Sequence, residues 1–95
     1  MSQPENLEVA MAWYRREQWP LLRAMSADAD QLEATYDEWL AIATQHVRDL
    51  EARGILVQKI EVDAEGLTRW CESEGRTVDG EARAEYARRG LGRQL

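Results

Sequence analysis

The chain reads as an α+β domain, mostly helical, with a two-stranded parallel sheet covered by about four helices in the order β-α-α-β-α-α. Three observations carry that reading. Large apolar groups alternate at Leu7, Val9, Met11 and Trp13, which is the spacing of a strand with one buried face. A second apolar run, Ile55 to Val62, is rich in β-branched residues. Elsewhere apolar residues recur at steps of three and four between cap residues and glycines, the pattern of amphipathic helices.

Residues 1–6 are expected to be a flexible lead, residues 7–89 a single globular domain and residues 90–95 a flexible tail. The first strand begins at Leu7. A short helix follows over Glu17 to Met25, with Pro20 in its first turn, where the missing N–H costs no helical bond. Ser26 to Asp30 is small and acidic, and reads as a connection. Thr35 and Glu38 form a capping box at the start of the longest helix. Its stripe is Tyr36, Trp39, Leu40, Ala43, Val47 and Leu50, and Gly54 stands where a left-handed stop belongs.

The second strand, Ile55 to Val62, has apolar groups on both faces, which predicts cover on both, at least at its beginning. Asp63 caps a third helix that turns Leu67, Trp70 and Cys71 inward and stops at Gly75. Asp79 caps a fourth, from Gly80 to Arg89, after which Gly90 and Gly92 loosen the chain. Two strands joined by a long helical crossover lie parallel. Two strands are marginal alone, so helices must cover them or a second copy must extend them. A homodimer formed by edge pairing is the expected assembly.

Composition narrows the function. The 95 residues are 44% hydrophobic and 32% charged, a balance that excludes a disordered chain. The net charge is −6, which disfavours a nucleic-acid partner. A net +2 is concentrated in residues 76–95, against −8 before them; the basic end reads as a solvated helix face followed by a frayed end, or as a dock for an acidic surface, its own or a partner's. Cys71 is the sole cysteine, so no internal disulfide is possible. No stretch approaches the roughly 20 apolar residues of a membrane span, and residues 1–6 lack a signal-peptide pattern. The expected compartment is the cytoplasm, with no membrane partner.

No catalytic constellation stands out, and the reading leans away from an enzyme. His46 and Cys71 are the single histidine and cysteine, and a buried cysteine is usually inert. Asp28 and Asp30 lack the glycine and terminal glutamate of a calcium loop, and one histidine with one cysteine cannot close a zinc site. No metal and no cofactor are expected. The neighbouring carboxylates Asp37 and Glu38, and Glu72 and Glu74, diverge on their helices and read as solvated faces.

Four tryptophans and no phenylalanine are the most distinctive feature. Tryptophan brings a large apolar body and an N–H that needs a partner when buried. The sharpest local cluster is residues 13–20, where Trp13 and Trp19 flank Arg15 and Arg16. One reading makes the tryptophans core anchors and pairs the arginines with local glutamates. The other makes Trp13, Arg15, Arg16 and Trp19 a binding patch, because interfaces favour Trp and Arg and because arginine stacked on aromatics can hold an anion. The favoured function is a non-enzymatic interaction or regulatory module that self-associates. The alternative is a small-ligand or anion-binding protein with its Arg/Trp pocket at residues 13–20.

The runs AWYRREQWPLLRAM, TYDEWLAIA and VDAEGLTRWCESEG resemble small bacterial proteins of uncharacterised function over residues 12 to about 88. The resemblance implies a bacterial cytosolic domain and carries over no functional residues.

Overall fold

The computed structural model describes residues 7–93, with side chains as far as residue 90. The expected lead at 1–6 and residues 94 and 95 lie outside the described residues. The elements are β1 (Glu8–Trp13), a 3₁₀ turn (Arg16–Gln18), α1 (Trp19–Met25), a second 3₁₀ turn (Ala29–Gln31), α2 (Tyr36–Ala52), β2 (Leu56–Glu61), α3 (Ala64–Glu74) and α4 (Gly80–Arg93). The mostly helical α+β architecture and its β-α-α-β-α-α order are those expected.

β1 and β2 pair in parallel, with Glu8 beside Leu56 and Trp13 beside Glu61. One face carries Glu8, Ala10, Ala12, Leu56, Gln58 and Ile60. The other carries Val9, Met11, Trp13, Val57, Lys59 and Glu61. α4 lies on the first face, chiefly against β1. Its Gly90 is so close to the sheet that an added Cβ would stand 2.6 Å from Ile60 Cγ2. α2 packs on the second face, where Trp13 and Trp39 meet edge to face at 5.1 Å.

The caps work as the residue types dictate. Thr35 Oγ1 accepts from the Glu38 N–H at 3.1 Å while the Glu38 carboxylate accepts from the Thr35 N–H at 3.3 Å. Asp63 accepts from the Gly66 N–H, and Asp79 from the Ala82 N–H, both at 2.9 Å. Gly54 and Gly75 take positive φ, 84° and 69°, and end α2 and α3.

Three expectations need correction. α4 does not end at Arg89 but continues through Gly90 and Gly92 to Arg93. At Gly90 the missing side chain serves close packing on Ile60 rather than a break in the helix. Leu56 at the beginning of β2 is 50% exposed, whereas Ile60 near its end and Val62 just after it are buried. The aromatic core sits at that end of the sheet, which is why. Trp70 is half-buried rather than core. It packs beside Tyr86 with the guanidiniums of Arg76 and Arg89 each 5.3 Å from its ring.

A polar clasp fastens α4 to the chain that follows α1. Arg83 donates from Nη1 to Asp28 Oδ1 at 3.0 Å, from Nη2 to Oδ2 at 2.8 Å, and from Nη1 to Ser26 Oγ at 3.1 Å. Beside it, the Ala27 N–H donates to the Val78 carbonyl at 2.8 Å. Both charged side chains are largely sealed, at 10% and 20% exposure. The hydrogen bond from Arg83 holds the Asp28 carboxyl below its ordinary pKa.

Two outcomes follow from this packing. Gly90→Ala gains helix propensity but drives a methyl into a stiff β-branched side chain, so it should destabilise by about 1–3 kcal/mol in urea unfolding. In an Ile60→Ala background the same change should lose that penalty. Because folding lowers the Asp28 pKa, its contribution is complete above the ordinary carboxylate range and lost as pH falls through the folded value. Asp28→Ala should therefore cost about 3 kcal/mol at neutral pH. It should also flatten the acid limb of stability against pH.

Candidate functional site

The junction at residues 13–20 is built from the end of β1, the first 3₁₀ turn and the start of α1. Trp19 is 3% exposed, and its Nε1 donates to the Glu33 carbonyl at 3.3 Å. Trp13 is partly buried, packed on Trp39 with Lys59 Nζ 4.5 Å from its ring. Tyr14, between them in sequence, is buried as well, and desolvation pushes its hydroxyl up to about 12.

Both arginines are exposed and already engaged. Arg15 Nε lies 2.8 Å from Glu61 and 3.4 Å from Glu17. Arg16 Nη2 donates to Asp37 at 2.8 Å, and its guanidinium sits 4.7 Å from the Tyr36 ring. The hydrogen bond from Arg16 to Asp37 raises the arginine pKa further. Thus the tryptophans point into the domain while the arginines run along its surface. The four residues share a segment without lining one cleft.

The more open feature is the outer edge of β1. The Leu56 N–H donates to the Leu7 carbonyl and the Val62 N–H to the Trp13 carbonyl, each at 2.9 Å. In a parallel ladder alternate residues face one neighbour, so Leu7, Val9, Met11 and Trp13 turn their peptide groups to β2. The N–H and C=O groups of Glu8, Ala10 and Ala12 turn outward. No third strand meets them among the described residues. A cavity of about 320 Å³ runs along this edge. Ala10 and Ala12 form its floor, Leu32 and Trp39 one wall, and Arg83 and Ala84 of α4 the other.

The two edges of the sheet differ. β2 carries Gln58, Lys59 and Glu61, and charged side chains guard a strand edge against pairing. β1 carries one charge, Glu8, whose carboxylate accepts from Gln58 Nε2 at 2.9 Å. Leu7 and Val9 are 57% and 37% exposed at the entry to the edge. The sequence reading expects pairing by strand edges without saying which edge. The low charge of residues 7–13 beside residues 56–61 was the available signal. Leu32, Arg83 and Ala84 carried none.

The remaining candidates stay apart. His46 is exposed on α2, while Cys71 is buried on α3 with burial pushing its thiol pKa up, away from the reactive thiolate. Among the described residues no three His, Cys, Asp or Glu side chains gather in a way that could hold a metal ion. None of the helices described is long and apolar enough to cross a membrane.

Searches against protein-family models, curated proteins and solved structures return no match to this chain.

The division of labour within the junction is measurable. Trp19→Ala should cost about 3–5 kcal/mol in denaturant unfolding, because it empties the centre of the core. Arg16→Gln should leave the thermal midpoint unmoved, since an exposed ion pair adds little.

Proposed function

We propose that the protein is a non-enzymatic interaction or regulatory module of the cytoplasm that self-associates through β1. The observation that carries this reading is the outer edge of β1, which no third strand pairs among the described residues and which lies in a slot between the α2 and α4 layers. An extended segment entering the slot finds unpaired peptide groups on its floor and walls that are apolar apart from Arg83, the arrangement used in strand addition.

A second copy of β1 fits that slot in antiparallel register. With Ala10 opposite Ala10, the outward peptide groups of residues 8, 10 and 12 bond in pairs across a two-fold axis. Val9 then stands opposite Met11 and Leu7 opposite Trp13, apolar against apolar. Glu8 faces Ala12, so no like charges meet. The alanines on the opposite face let the two backbones approach without bulk. Pairing turns a marginal two-stranded sheet into one of four strands. A cytoplasmic setting suits a chain whose one cysteine, Cys71, is buried and needs no partner.

Light scattering on the full chain is the direct test. The expected mass is twice 10.9 kDa at high micromolar concentration. Ala10→Pro removes an N–H that faces away from β2, so it should yield a folded monomer. A monomeric wild type, or a dimer indifferent to Ala10→Pro, would overturn the reading.

A further inference from the structure

Arg23 is a cation without a visible counterpart. It lies on α1, one turn after Trp19, and is half-buried. Its Nε is sealed from solvent and lacks a hydrogen-bond partner, the one such side-chain nitrogen or oxygen among the described residues. Arg15 and Arg16 reach Glu61 and Asp37, Arg83 reaches Asp28, and Arg88 and Arg89 reach Glu85, whereas Arg23 combines a sealed nitrogen with no ion pair. An uncompensated, partly desolvated guanidinium is costly, and in a chain of net charge −6 its lack of a carboxylate is not for want of acidic residues.

Arg23 also lines a cavity of about 390 Å³ between α1 and the stretch around the second 3₁₀ turn. The other lining residues are Trp19, Pro20, Ala24, Ala29 and Ala34. Two rings and three methyl groups make apolar walls, and Arg23 is their single charge. The volume is that of a small-molecule site with few placed polar groups.

We propose that this cavity binds a small organic monocarboxylate with a flat apolar body, its carboxylate on the Arg23 guanidinium and its body against Pro20 and the Ala24 and Ala34 methyls, at the buried edge of Trp19. The guanidinium fork matches a carboxylate, and its delocalised charge is compensated by an anion at its terminal nitrogens even while Nε stays sealed. A phosphate dianion needs several donors or cations, and no second cation lines the cavity. The site shares Trp19 with the 13–20 junction but uses neither Arg15 nor Arg16. It is also independent of β1, so either proposal can fail without the other.

The test uses the full chain with benzoate as probe, read by thermal shift and by the Trp19 indole N–H signal in NMR. Benzoate should bind saturably, with half-saturation on the order of 1 mM for so small a ligand. Neutral benzamide and inorganic phosphate should produce no saturable change. Arg23→Gln should abolish the benzoate response, Arg23→Lys should weaken it about tenfold, and Arg16→Gln should retain it. Circular dichroism checks that each variant is folded, and if Arg23→Gln is not, Arg23→Lys carries the comparison. Equal responses to benzoate and benzamide, a saturable response to phosphate, an undiminished response in a folded Arg23 variant, or no benzoate response at all would each overturn the site.

Discussion

Five aromatic rings, from β1, the residue just after it, α1 and α2, meet at the end of the sheet, and the other contacts of the domain are arranged around them. Trp39 of α2 lies within 5.1–5.5 Å of Trp13, Tyr14, Trp19 and Tyr36. No phenylalanine is available, so each ring arrives with a polar group that must be satisfied or left at an edge. The solutions are backbone carbonyls. Tyr36 donates its hydroxyl to the Tyr14 carbonyl at 2.8 Å, and Trp19 donates to Glu33. These bonds lock the direction in which the chain leaves β1 and enters α2. A phenylalanine cluster of similar size would lack that directional control.

The clasp between Arg83 and Asp28 solves a different problem. α4 is short of large apolar residues; its fully buried contributions are Ala82 and Ala87. Small side chains let it approach the sheet closely, as Gly90 does on Ile60, but bury little area. A bidentate ion pair with low exposure supplies orientation where apolar area is scarce. The same charged residue forms one wall of the slot beside β1, so the feature that holds α4 also shapes the edge.

Helix boundaries were legible in the sequence because their signals are local. The Thr35–Glu38 box, the Asp63 and Asp79 caps and the positive-φ glycines at 54 and 75 act within a few residues of themselves. Parallel pairing was legible because a long crossover leaves few alternatives. Burial of individual tryptophans was not. Trp19 could be read as a core anchor or as part of a patch with two arginines, and it lies at the centre, whereas Trp70, inside a regular helical stripe, lies at the rim under two guanidiniums. Helical periodicity says which side of a helix turns inward, not how much protein waits there. Gly90 misled for a similar reason, since a glycine that breaks a helix and one that admits a neighbour look alike until the neighbour is known. The slot and the Arg23 cavity each draw on separate stretches of chain, which no local pattern encodes.

Parallel pairing between strands so distant in sequence also governs how the chain is made. Glu8 and Gln58, bonded across the sheet, are 50 residues apart. During synthesis at about 5–20 residues per second, β1 therefore emerges several seconds before its partner. In the interval α2, which precedes β2 in the chain, can cover one face of the strand, but the α4 that covers the other face follows β2. Complete folding is thereby deferred until α4 has emerged, and until then the nascent chain carries an apolar, almost uncharged strand. The lone Glu8 and the two alanines of β1 keep that strand short of the unbroken β-branched runs from which cross-β aggregates nucleate.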